Sequence, residues 1–505
     1  MKIKDFFSLI IDFSDEDSQE FVKFLNSPFH GNNKMLIDIF EEIMRNKNLI
    51  ISSQYERLIK NISVKLRRTH STLMNRLSYL SKSAKDFLKI KSILTDGILT
   101  EFSLNEYLLK HKSYSILKTN LKNMETIIYD SEKITDKFLW NSFNYNVQVC
   151  DFFTFNNSFI SNNNSKQILS NLHNASLDIF LYYLVQQINL YVYNFILDVE
   201  SGNYGKFYFP IDITKTLNNF EKGGLLNNSY RKKNIYELYK SMYFAFYYRE
   251  DSKNFLKYKQ CFERLLITLS DELKRFHYNL LINFCVMKER LNEEKEFYRK
   301  QQAELLLEYI ENGHYETVDT KHLHAAVYRN FILIAFSIEN LKLLRYFIDN
   351  CSSKLNPKEY KNMLNFGLIY YYYGIKNYEK VFECIQNIEF NNFIYRFDIK
   401  NIELRIYYET HDYDKLFDSM HNYRKSIMDE KILNKQNKES LLKFIKYLGS
   451  LTKITINPNI NLQKESEYLY HQISEEQSFA LQKWILERLN SLVKPHLKKK
   501  KIYKK

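Results

Sequence analysis

The chain has 505 residues, a formal net charge of +14, and only 10 glycines and 5 prolines. So few turn formers disfavour an all-β fold, and they equally disfavour nucleotide-binding folds built on glycine-rich loops. Seven lysines between Lys494 and Lys505 carry half of the net charge, so the body of the chain is only mildly basic.

In chain order, FFSLII lies between Asp5 and Asp12 and is too short and too acidic at its edges for a secretory signal. A helix is expected after Ser14, where Asp15, Glu16 and Asp17 complement the positive helix end. It stops at Ser27-Pro28, and a second helix is expected from about Asn33 to Arg45. Residues 54–93 hold two helical patterns with basic residues Lys65, Arg67, Arg68 and Arg76. Helices are then expected over 104–110, 114–129 and 132–153. The polar run at 156–166 and the Gly- and Pro-containing stretch at 201–231 are the boundary candidates. Between them, Leu177 to Val199 is the most apolar long stretch. It carries Asp178, Gln186, Gln187, Asn189, Asn194 and Asp198, which are costly in hydrocarbon, so it reads as a buried helix and no membrane span is expected.

From Lys232 onward the helices come in pairs, and three copies share one pattern. SIENLKLLRYFIDNC begins at Ser337, GIKNYEKVFECIQNI at Gly374 and ETHDYDKLFDSMHNY at Glu409. In aligned columns, Asn340, Asn377 and Asp412 each open a helix as a cap. Leu341, Tyr378 and Tyr413, then Leu344, Val381 and Leu416, then Ile348, Ile385 and Met420, form one buried face. In the preceding helix Ile332, Ile369 and Leu404 share a column, as do Ala335, Tyr372 and Tyr407, with Asp319, Asn356 and Asn391 as its expected caps. A helix over 475–493 with Trp484, Ile485 and Leu489 is expected to cap the array.

The two-helix unit resembles the tetratricopeptide repeat over roughly 105 residues. It departs from that pattern at Ile369 and Val381, where the family places small residues. The whole chain also resembles large helical-repeat proteins of AT-rich bacterial genomes. The resemblance implies an all-α fold, an α-solenoid of antiparallel helix pairs wound as a right-handed superhelix. The expected division is an N-terminal helical region (1–200), a loop-rich connector (201–231), the repeat array with its capping helix (232–493) and a basic tail (494–505).

No catalytic signature is present in the sequence: no phosphate loop, Gly-x-Ser-x-Gly elbow, His-Glu-x-x-His or calcium loop. The only close histidine grouping, His314, His322 and His324, reads as turn and helix residues. Cys150, Cys261, Cys285, Cys351 and Cys384 have no paired spacing, so no disulfide framework or thiolate metal site is indicated and a reducing cytoplasm fits. No cofactor is expected. In the repeat that the chain resembles, certain positions of the first helix line a concave surface. Here these are Arg329, Leu333 and Phe336, then Phe366, Tyr370 and Tyr373, then Asn401, Arg405 and Tyr408. They imply a non-catalytic scaffold that binds a peptide or protein partner, with Arg329 and Arg405 engaging a carboxylate. A nucleic-acid binder using Lys65, Arg67, Arg68 and the lysine-rich tail is the alternative, and an enzyme without a recognisable motif a third. Steep salt dependence distinguishes phosphate binding from aromatic contacts.

Overall fold

The computed structural model describes residues 3–502 except 12, 28–33, 53, 132, 157–161, 202–209, 225, 227–228, 292, 318–319, 390–392, 431–432, 434, 458–460 and 477–478. Helices make up 83% of the chain and no strand occurs among the described residues, which sets the class as an all-α helical-repeat fold. The chain divides into two compact units, Met1–Ser270 and Asp271–Lys505.

The first unit holds α1 (Ile3–Ile11), α2 (Asp15–Leu25), α3 (Lys34–Arg45), α4 (Lys47–Ile51), α5 (Tyr55–Lys65), α6 (His70–Thr95), α7 (Gly97–Lys110) and α8 (Tyr114–Tyr129). It continues with α9 (Phe138–Phe155), α10 (Asn162–Ser201), α11 (Ile213–Lys222), α12 (Tyr230–Tyr247) and α13 (Ser252–Leu265). The Ser14 cap forms as the sequence requires. Its hydroxyl accepts from the Asp17 N–H at 3.0 Å while the Asp17 carboxylate accepts from the Ser14 N–H at 3.0 Å. The FFSLII segment is the apolar face of α1, with Phe6, Phe7 and Ile10 fully buried.

Four expectations for this unit need correction. The run at 156–166 is interrupted by the start of α10 at Asn162, and the 201–231 connector contains α11, which buries Ile213, Leu217 and Phe220. The pair α12 and α13, assigned to the array because helices come in pairs from Lys232 onward, belongs to the first unit, where α12 packs along α10. And α10 is buried on one side only. Leu181, Leu184, Val185, Ile188 and Val192 are covered, whereas Tyr183, Leu190, Tyr193 and Leu197 are exposed.

The second unit comprises α14 (Asp271–Arg290), α15 (Lys295–Glu311), α16 (Ala325–Ser337), α17 (Leu341–Cys351), α18 (Pro357–Gly374) and α19 (Tyr378–Gln386). It ends with α20 (Phe393–Glu409), α21 (Tyr413–Asp429), α22 (Lys435–Ile456), α23 (Leu462–Ser474) and α24 (Gln482–Ile502). The three copies are the pairs α16/α17, α18/α19 and α20/α21. Asn340, Asn377 and Asp412 cap equivalent helices, accepting from the N–H groups of Leu343, Lys380 and Lys415 at 3.0, 3.2 and 3.4 Å. Ahead of each cap stands a residue in the left-handed region, Glu339, Lys376 and His411. There the chain closes the previous helix by bonds from Asn340 N–H to Ala335 O, Asn377 N–H to Tyr372 O and Asp412 N–H to Tyr407 O, at 3.2, 2.9 and 2.9 Å.

The column residues Leu344, Val381 and Leu416 are each fully buried, as are Ile332, Ile369 and Leu404. The expected close helix contact is made by a residue outside those columns. A Cβ on Gly367 would lie 3.0 Å from Ile348 and 3.1 Å from the Tyr328 hydroxyl, so α18 approaches α16 and α17 at that glycine and Ile369 and Val381 fill the seam beside it. One first-helix cap differs from expectation. Asp319 and Asn391 lie outside the described residues, and α16 starts at Ala325, with His324 Nδ1 accepting from the Ala326 N–H at 3.2 Å. Asn356 caps α18 as expected, accepting from the Lys358 N–H at 3.0 Å. Since an unsatisfied first turn costs about 1 kcal/mol, Asn377→Ala is expected to lower the urea-unfolding free energy of the second unit by about that amount. A value near zero would mean that the cap does not organise the repeat.

Candidate functional site: the first-helix face of the second unit

Successive first helices α16, α18 and α20 pack side by side in the second unit. Residues four and seven apart on each helix share a face, so the nine positions picked out by register are brought together by geometry rather than by chain proximity. Phe336 stands 5.3 Å from Tyr370 and 5.8 Å from Tyr373, and Phe366 lies 5.1 Å from Tyr370. Leu333 is half-buried against the same core. Asn401 uses its carbonyl to accept from the Tyr423 hydroxyl at 2.9 Å, and Tyr408 shares a hydrogen bond with Thr455 at 3.0 Å. Both therefore serve the packing of α20 onto α21 and α22.

The two arginines stand in different situations. Arg329 is occupied: its Nε and one terminal nitrogen grip both oxygens of Asp398, the latter bond being 2.9 Å. Arg405 is 8% exposed, yet it makes no hydrogen bond or ion pair among the described residues, and its Nε has no acceptor. Its guanidinium carbon lies 4.4 Å from the Tyr373 ring centre, 5.3 Å from Trp484 and 5.7 Å from Phe336. Ring faces attract a cation but supply no acceptor for its N–H groups. The face thus holds a buried cation with an unused donor.

Four participants were not picked out by register: Asp398, Glu409, Trp484 and Arg488. Glu409 accepts from the hydroxyls of Tyr373 and Tyr378 at 2.7 and 2.6 Å, from Trp484 Nε1 at 3.2 Å and from Arg488 at 2.5 Å. Burial alone would raise its carboxyl, but the two tyrosine hydroxyls and Arg488 outweigh it and hold the group below the usual carboxylate range. One signal for it was present in the sequence. Glu409 occupies the column of Ser337 and Gly374, and a charge where the other copies have small residues marks a special position. Trp484 and Arg488 come from α24, which begins at Gln482 rather than Glu475 and packs on α22 and α23. Trp484 is 5.6 Å from Tyr408, edge to face. The capping helix thus reaches the first-helix face, a placement that no repeat column encodes.

Among the described residues no group of histidine, cysteine or acidic side chains could hold a metal ion, and no helix is long and apolar enough to cross a membrane. The class defined by fold and site is an all-α helical-repeat protein whose second unit presents an aromatic face around an unpaired arginine. No family model, curated protein or solved structure matches the chain.

Proposed function

We propose that the chain is a non-catalytic interaction scaffold of the tetratricopeptide-like kind, working in the cytoplasm and binding a peptide or protein partner on the face of α16, α18 and α20. One observation carries the reading. A guanidinium held in a low-dielectric aromatic setting without an anion leaves its desolvation uncompensated, and a carboxylate from a partner supplies the missing acceptor. Asp398 and Glu409 cannot fill this role, since each is engaged with another arginine. The surrounding rings offer contact area at low entropy cost. The nucleic-acid reading draws on Lys65, which faces Glu42 at 2.6 Å, and on a tail whose side chains lie outside the described residues.

The test is a titration of the full chain with an array of peptides carrying aspartate or glutamate beside aromatic residues. Trp484 emission is followed in a Trp140→Phe background. Binding peptides are expected to lose affinity about tenfold or more on Arg405→Gln, as loss of a charge-assisted hydrogen bond implies, with unchanged helicity. Equal affinity for the wild type and Arg405→Gln, or a steep fall in binding with salt, would sink the proposal.

A further inference from the structure

The positive charge of the chain is concentrated rather than spread. Residues 60–89, from the end of α5 along most of α6, hold eight lysines and arginines against one acidic residue, Asp86. With this stretch and the lysine-rich tail set aside, the rest of the chain carries 58 basic and 58 acidic residues and balances to zero. Lys65 faces Glu42 and Lys89 faces Asp86, at 2.6 and 3.1 Å. The side chains of Lys60, Arg67, Arg68, Arg76, Lys82 and Lys85 make no ion pair or hydrogen bond among the described residues. Six uncompensated cations on one helical hairpin create a local positive field that the neutral remainder does not offset.

The hairpin is built as helix, turn and helix. Helix α5 ends at Lys65 and α6 begins at His70, so four residues join them. The turn is fixed by its own bonds: the Arg68 N–H donates to Ser63 O at 3.0 Å, and the Thr69 hydroxyl caps α6 by accepting from the Thr72 N–H at 3.3 Å. Leu73, Leu77 and Leu80 set the inner side of α6 into one core with Ile39 of α3 and Ile62 of α5. The outer side of its first four turns carries Ser71, Thr72, Asn75, Ser78, Tyr79 and Lys82, all exposed. We infer that this side of α6 enters the major groove of duplex DNA, a binding site of the first unit that does not depend on the face of α16, α18 and α20. A helix about 10–12 Å across fits a groove about 12 Å wide. Short hydroxyl and amide side chains along its axis match the donors and acceptors on base edges, with Asn75 suited to adenine. Arg67 and Arg68 in the turn and Lys82 and Lys85 farther along flank them, as the phosphates of the two groove walls require. A helix that lies on an anionic membrane needs a wide apolar sector beside its cations. Between His70 and Lys89 the only large apolar side chain exposed is Tyr79, so DNA is the better match.

Fluorescence anisotropy of a labelled mixed-sequence DNA duplex of about two helical turns, titrated with the full chain between about 50 and 200 mM salt, tests the inference. The wild type is expected to bind with a Kd of about 1 μM or tighter at the lower salt, and log K to fall with log salt at a slope of about −4 to −5, roughly 0.9 for each phosphate neutralised. Arg67→Gln, Arg68→Gln, Lys82→Gln and Lys85→Gln combined are expected to weaken binding by at least about thirtyfold and to flatten the slope by about 3 to 4. All four side chains are exposed, so helicity and the urea midpoint should be retained. Lys498→Gln, Lys499→Gln, Lys500→Gln and Lys501→Gln combined remove the same charge from the tail and are expected to weaken binding by about threefold or less. An RNA duplex of the same sequence is expected to bind at least about tenfold more weakly than the DNA, because its major groove is too narrow to admit a helix. No DNA binding by the wild type, equal losses in the two quadruple variants, RNA bound as tightly as DNA, or binding only to vesicles of anionic phospholipid would each overturn the proposal.

Discussion

Asp178→Ala is expected to lower the unfolding free energy of the first unit by about 3–5 kcal/mol, the range for removing one member of a buried ion pair. Asp178 is fully buried on α10, and one oxygen lies 2.6 Å from Lys232 Nζ on α12, itself almost inaccessible. The other oxygen accepts from Ser142 Oγ at 2.6 Å and from Asn146 Nδ2 at 3.2 Å, both on α9. Tyr129 at the end of α8 closes the network, 2.7 Å from Ser142 Oγ. Burial pushes the Asp178 carboxyl up, and Lys232 with its hydrogen-bonding neighbours works against that. With alanine there, Lys232 becomes an uncompensated cation among apolar side chains, and two further donors lose their acceptor.

The double variant Asp178→Leu with Lys232→Met is expected to recover most of the loss, because apolar groups of similar volume replace a pair whose attraction barely exceeds its desolvation cost. Urea unfolding followed by Trp140 emission in a Trp484→Phe background reads the first unit, which holds only that tryptophan. A loss under 1 kcal/mol for Asp178→Ala, or a double variant no better than the single, would remove this network from among the determinants of the fold.

This network marks where the sequence stops being informative. Asp178 was legible as a polar group that keeps the apolar stretch out of a membrane, and Lys232 as the start of a helical region, but nothing in the sequence couples two residues that far apart. Local chemistry reads differently. The caps at Ser14, Asn340, Asn377 and Asp412 involve donors three residues away, so residue type and spacing decide them. The buried columns follow from helical period in the same way. The turns before the caps were not legible, because Glu339, Lys376 and His411 adopt the left-handed conformation without being glycine or asparagine. Register assembled the candidate face but could not tell that Arg329 is engaged and Arg405 is not. Asp398 lies 69 residues from Arg329, and Trp484 comes from another helix altogether.

Glu409→Ala is expected to destabilise the second unit by about 2–4 kcal/mol and to loosen α24 from α20. The carboxylate is 12% exposed and serves four donors from three helices, with Tyr373 on α18, Tyr378 on α19, and Trp484 and Arg488 on α24. Truncation leaves Arg488 beside Trp484 without an acceptor and both phenols unpaired. The loss is smaller than for a fully buried pair because Arg488 is 37% exposed and water can solvate it in part. Acid should act in the same direction. A carboxyl held below its ordinary 4.5 in the folded chain stabilises fully above that value, since the unfolded chain then carries no extra proton. As the pH falls below 4.5 the unfolded chain takes up a proton that the folded chain refuses, and the stabilisation is gone once the pH passes the folded value. Glu409→Gln keeps the shape and an acceptor but cannot titrate, so its stability should fall less steeply than that of the wild type below pH 4.5. Urea midpoints of both proteins between pH 6 and pH 3, read from Trp484 in a Trp140→Phe background, give the comparison. Parallel curves would mean that Glu409 is not held ionised by its four donors, and that α24 is retained by the burial of Trp484, Ile485 and Leu489 alone.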